Sequence, residues 1–122
     1  MKRYDHIDLR VTDLAAASGF YETLLPALGF TRRMEVEGWL QFETEEEGIA
    51  QFFGVTESPG HVANENRIAF AAERREEVQR LAAVVANAGG KAIEGPMEYT
   101  PGYHAVFFED PCGNRFEICH RD

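Results

Sequence analysis

Two hydrophobic periods alternate along the chain. In His6-Ile7-Asp8-Leu9-Arg10-Val11 the apolar residues fall at every second position, which predicts a half-buried strand with a polar second face. Thr12-Asp13 then offers a helix N-cap, and Leu14, Ala17, Tyr21, Leu24, Leu25 and Leu28 follow at helical spacing. Pro26 is expected to break or kink this helix near its end, with Gly29 as a C-cap. Strands are predicted over 30–36, 39–44 and 49–55, separated by Gly38 and by the charged Glu45-Glu46-Glu47-Gly48 tip. In the second, Trp39, Gln41 and Glu43 oppose Leu40 and Phe42; in the third, Gln51 and Phe53 share a face.

The same order then recurs. A strand over 67–71 precedes a helical stripe of Val78, Leu81, Ala82, Val85 and Ala88, with Glu76 and Glu77 near its positive end and Gly89-Gly90 closing it. A strand over 91–97, interrupted at Gly95-Pro96, leads to a final hairpin of 103–109 and 114–120. Its turn is Asp110-Pro111-Cys112-Gly113, in which Asp accepts a backbone bond, Pro presets φ and Gly takes the fourth position. The order of elements thus predicts an internal repeat of about sixty residues. The first module is 1–57, the second 66–122, and the polar stretch 58–65 links them in a single domain. Each module carries one helix against the apolar face of a four-stranded sheet, an α+β architecture. Under this repeat His6 corresponds to Arg67, and Gln51 corresponds to Glu117.

Composition narrows the function classes. The chain has 122 residues and a formal net charge of −9, which argues against nucleic acid and anionic membranes as partners. Basic residues open the chain without an apolar run behind them, so no signal peptide is expected. Two cysteines, Cys112 and Cys119, make no disulfide framework and fit reduced thiols in a cytoplasmic protein.

Several stretches resemble the vicinal oxygen chelate superfamily of glyoxalases, bleomycin-resistance proteins and extradiol dioxygenases. They are Asp5-His6-Ile7-Asp8-Leu9-Arg10-Val11-Thr12-Asp13-Leu14 with Phe20-Tyr21 and Leu28-Gly29-Phe30, then Arg67-Ile68-Ala69-Phe70-Ala71. The most specific runs from Pro101-Gly102-Tyr103 to Phe108 and on through Asp110-Pro111-Cys112-Gly113-Asn114-Arg115-Phe116-Glu117. The resemblance implies two paired βαβββ modules forming a curved mixed sheet around a cavity. It also implies a divalent ion (Ni, Zn, Mn or Fe) held by a histidine on each opening strand, a closing-strand glutamate and a variable fourth ligand. On that pattern His6 and Glu117 match the first histidine and the glutamate, and Gln51 takes the variable place. Arg67 stands where the second histidine is expected, and a guanidinium has no lone pair for a metal. The resemblance further implies a homodimer.

Other roles for these residues follow from their chemistry. Glu117 and Arg67 are expected to pair across one cavity, or Arg67 binds a ligand carboxylate or phosphate through its planar fork. His104 is the spare imidazole, expected either to reach the Glu117 cavity or to sit at a rim. Trp39 and Phe53 are the expected aromatic pocket walls; Phe42, Phe52, Tyr103 and Phe107 are read as mostly core. Two functions remain open at this point. One is a metal-dependent lyase or dioxygenase acting on a substrate with adjacent oxygens. The other is a metal-free protein that binds or sequesters a small molecule.

Overall fold

The computed structural model describes residues 3–122, which divide into two compact units, one ending at Val62 and the other starting at Ala63. In the first unit β1 (His6–Val11), α1 (Leu14–Ala27), β2 (Arg32–Val36), β3 (Trp39–Glu43) and β4 (Phe52–Glu57) form a mixed sheet of order β1-β4-β3-β2. In the second, β5 (Arg67–Ala71), α2 (Arg75–Ala88), β6 (Lys91–Thr100), β7 (Tyr103–Glu109) and β8 (Arg115–Arg121) repeat it as β5-β8-β7-β6. In both, the opening strand pairs parallel with the closing strand, and the remaining pairs are antiparallel.

Local chemistry accounts for the element ends. The Asp13 carboxylate accepts the Ala16 N–H at 3.1 Å and caps α1. Pro26 sits in the last turn of α1 rather than breaking it, and Leu28 closes the helix before Gly29 turns at φ 101°. In α2, Gly89 adopts the left-handed conformation that ends the helix, and Glu76 and Glu77 occupy the first turn. The final turn is built on Asp110, which is wholly buried. Its Oδ1 accepts the N–H groups of Cys112 at 2.8 Å and Asn114 at 2.9 Å, and its Oδ2 accepts Asn114 Nδ2. This turn fixes the register that puts Glu117 opposite Phe107 and beside Ala69.

Each helix covers one face of its own sheet. In the first unit Ala17, Phe20, Tyr21, Leu24 and Leu25 are buried, as are Leu40, Phe42, Phe53 and Val55 on the strands. In the second, Val78, Leu81, Ala82 and Val85 are buried, as are Val106, Phe108, Phe116 and Ile118. The opposite face of each sheet carries the polar alternates and is the open face.

One strand starts later than its sequence pattern suggests. The Ile49-Ala50-Gln51 stretch leads into β4 without belonging to it, and Ile49 is exposed. Thr44 and Gln51 close the preceding turn instead: the Thr44 N–H donates to the Gln51 carbonyl, and the Gln51 N–H donates to Thr44 Oγ1, both at 2.9 Å. Strand β6 runs through the Gly95–Pro96 interruption, which is a cis peptide with register shifts on either side.

Candidate functional site

The open face of the first sheet carries His6 and Asp8 from β1, Phe52, Gly54 and Thr56 from β4, and Trp39 from β3. They line a groove of about 270 Å³. The His6 ring stacks on Phe52 with centroids 4.3 Å apart and planes 3° from parallel. His6 Nδ1 lies 2.9 Å from Asp5 Oδ2, and Thr56 Oγ1 donates to Asp8 Oδ1 at 3.1 Å. Trp39 lies across Gly54. A Cβ added at Gly54 would come within 2.9 Å of Trp39 Nε1 and 3.7 Å of its Cε2.

Strand register corrects three of the sequence expectations here. Glu117 pairs with Ala69, two residues past Arg67 on the opening strand of its unit. The residue that pairs two places past His6, with Asp8, is Gly54. Gly54, not Gln51, is therefore the counterpart of Glu117, and Gln51 stands exposed before the strand begins. Phe53 has the opposite parity from Gly54, so it faces the helix. It is wholly buried, 6.1 Å from the Tyr21 ring and 6.4 Å from Phe30. Phe52, read from the sequence as core, is the aromatic wall of the groove. Two adjacent phenylalanines give no clue to parity, because either suits a half-buried strand.

On the open face of the second sheet, Arg67 and Arg115 are register partners. With Ala92, Glu94, Phe107, Phe108 and Glu109 they line a pocket of about 240 Å³. Arg67 lies with its guanidinium carbon 4.8 Å from the Phe107 ring centroid. The expected Arg67–Glu117 ion pair is not among the contacts of the described residues; the aromatic ring holds the guanidinium instead. Glu117 is 93 % buried, being 7 % exposed, and its Oε2 has no hydrogen-bond partner. Burial, with the charges of Glu94 and Glu117, pushes the Tyr99 hydroxyl up. Burial, then the charge of Glu117, also pushes the Cys119 thiol up, against the pull of Arg121.

His104 does not share this face. Along β7, Phe107 pairs with Glu117 while His104 pairs with His120, an odd number of residues away, so His104 points to the helix side of the sheet. Its Nε2 lies 3.7 Å from Glu98 Oε2 and 3.6 Å from Asp122 Oδ2. Strand parity was available in the sequence to make this assignment; the expected convergence rested on strand adjacency alone.

The four positions at which the family resemblance implies metal ligands thus hold His6, Gly54, Arg67 and Glu117. Gly54 offers no side chain, and the indole beside it occupies the space that one would need. Arg67 brings a permanent positive charge and no lone pair. Neither Gly54 nor Arg67 can therefore supply the side-chain ligand that the resemblance implies at its position.

A family model described as the glyoxalase/bleomycin resistance protein/dioxygenase superfamily matches residues 3–118. No curated protein matches the chain. Among solved structures, it is similar to a glyoxalase/bleomycin resistance protein from Albidiferax ferrireducens T118. That match has 25% identity and a TM-score of 0.79, covering 99% of this chain and 100% of the other. It is also similar to a glyoxalase/bleomycin resistance protein/dioxygenase family enzyme from Burkholderia phytofirmans PsJN, with 17% identity, TM-score 0.75 and coverage of 97% and 98%. The fosfomycin resistance protein FosX from Mesorhizobium loti shares the fold, with 18% identity, TM-score 0.70 and coverage of 100% and 94%. The repeated βαβββ order, the Asp110-to-Glu117 turn and strand, and the match over nearly the full length agree: this chain belongs to the glyoxalase/bleomycin resistance protein/dioxygenase superfamily.

Proposed function

We propose that this chain is a small-molecule-binding member of its superfamily whose divalent-metal site is degenerate, and that side chains rather than an ion recognise the ligand. The observation that carries this reading is the strand register, which sets Gly54 where Glu117 stands in the other unit. The first open face supplies a stacking surface in Trp39, Phe52 and His6, suited to a planar or aromatic group. The second supplies the guanidinium groups of Arg67 and Arg115, suited to a carboxylate or phosphate. The unpartnered Oε2 of Glu117 is suited to a ligand N–H or O–H. A cytoplasmic homodimer belongs to the same reading.

One observation favours a second reading, a metal-dependent lyase or dioxygenase acting on adjacent oxygens. A buried carboxylate oxygen without a donor is also what a cation site leaves behind when it is described without its ion.

The test is elemental analysis of tag-free protein, with titration of Ni²⁺, Zn²⁺, Mn²⁺ and Fe²⁺, on the wild type and Glu117→Gln. Small aromatic carboxylates and phosphates are then screened by titration calorimetry. The proposal expects no ion whose binding depends on Glu117, and a ligand whose affinity falls at least about tenfold in Arg67→Ala, as loss of a charge-assisted pair implies. A stoichiometric ion lost in Glu117→Gln overturns it in favour of the metal-dependent reading.

A further inference from the structure

We propose that Glu98, His104 and Asp122 form a divalent-cation site on the helix side of the second sheet, apart from the positions discussed above. The inference does not rest on the proposed function. Three backbone features assemble the group. Glu98 is the register partner of His104 across β6 and β7, and His104 is the partner of His120 across β7 and β8. The Asp122 N–H donates to the Gly102 carbonyl at 2.8 Å, which returns the chain after β8 to the β6–β7 turn.

His104 Nε2, one oxygen of Glu98 and one of Asp122 all lie within 4.8 Å of one another. The His104 side chain is only 13% exposed, and its Nε2 is buried without a hydrogen-bond partner. A buried imidazole nitrogen facing two carboxylates, beyond hydrogen-bond range of either, lacks its natural complement. A cation between the three atoms supplies it. Bonds of about 2.0–2.2 Å to nitrogen and oxygen set neighbouring ligand atoms a little over 3 Å apart. Small rotations of the exposed Glu98 side chain and of Asp122 close the difference.

The surrounding groups are arranged to keep the carboxylates in place. Arg75 Nη2 donates to Asp122 Oδ2 at 2.7 Å, and His120 Nε2 lies 3.2 Å from Asp122 Oδ1. His120 Nδ1 in turn lies 2.9 Å from the Ala72 carbonyl oxygen, which fixes the ring. The Gly102 N–H donates to Glu98 Oε2 at 2.9 Å. Each carboxylate oxygen has two acceptor directions, so Asp122 Oδ2 and Glu98 Oε2 can hold these donors and still ligate. One imidazole with two carboxylates suits a first-row divalent ion such as Zn²⁺ or Ni²⁺. Bound there, the ion ties the β6–β7 turn to Asp122, which α2 holds through Arg75.

The test is competition of the full chain with a chromophoric chelator for Zn²⁺ alone, with thermal melting read in parallel. The wild type should bind one Zn²⁺ per chain and melt at higher temperature with it. His104→Gln and Glu98→Gln should each lose more than the roughly 10–100-fold that loss of a supporting group costs, and should lose the thermal shift. Glu46→Gln, in the exposed charged tip of the first unit, should bind Zn²⁺ as the wild type does. No uptake by the wild type, uptake unchanged in both His104→Gln and Glu98→Gln, or uptake abolished by Glu46→Gln overturns the site. Glu98 is exposed, so its variant decides the matter if His104→Gln fails to fold.

Discussion

Glu117 acts on its neighbours as a buried negative charge. Cys119 shares its strand face, and its raised pKa comes first from burial and then from that charge. A raised thiol pKa leaves less thiolate at a given pH, and thiolate is the species that alkylates. Iodoacetamide at mildly alkaline pH should therefore label Cys119 slowly, as read by peptide mass spectrometry. Glu117→Gln should speed the labelling a few-fold and no more, because burial, the larger cause, remains. Unchanged labelling in that variant would show that the carboxylate does not face the thiol. The residue scale is also where the sequence was most legible. The roles of Asp13 as a cap, of Asp110 as the anchor of a turn and of Gly89 as a helix end all follow from side-chain chemistry within a few residues. Arg67 shows the limit of that legibility: its guanidinium was expected on Glu117 and lies instead over Phe107, a partner set by packing.

At the scale of elements, β3 and β4 decide the shape of the first open face. Gly54 has ordinary backbone angles, and what keeps a side chain out is Trp39 Nε1, 2.9 Å from the place of a Cβ. Gly54→Ala should push the indole aside, at a cost of about 1–3 kcal/mol by urea unfolding, the usual range for overpacking. Because Trp39 is the only tryptophan, its emission should also move to the red as the ring gains water. An unshifted emission would mean that the indole does not rest on Gly54. The helices and most strands followed from periodicity, since amphipathic stripes such as Val78, Leu81, Ala82 and Val85 have one plausible face. Strand β4 did not, because Ile49 through Val55 is apolar at nearly every position and alternation has nothing to alternate with. Its true start at Phe52 turned Phe53 into the core and left Gln51 outside the strand.

For the whole molecule, the repeat is plain in two sheets of identical order, each with one helix. The outer strands leave apolar side chains in water: Met34 and Val36 on β2, Ile93 and Met97 on β6, all between 37% and 52% exposed. Open strand edges with apolar flanks pair readily with another copy. Sedimentation velocity should accordingly show a dimer, and Met34→Lys with Val36→Lys should shift it toward monomer; a wild-type monomer at micromolar concentration would refute the homodimer. No helix of the described residues is long and apolar enough to cross a membrane.

By itself the sequence determined the class of fold, the βαβββ order in each half and the family, because these depend on periodicity, caps and turns that each span only a few residues. It also placed His6 and Glu117 on opening and closing strands and exposed Arg67 as a departure from a metal-binding pattern. Only the tertiary structure decided which residue is the counterpart of Glu117 in the other half and that the Arg67 guanidinium lies over Phe107. Both depend on the placement of strands far apart in the chain. A shift of one residue there exchanges the two faces of a sheet, and nothing local in the sequence records it.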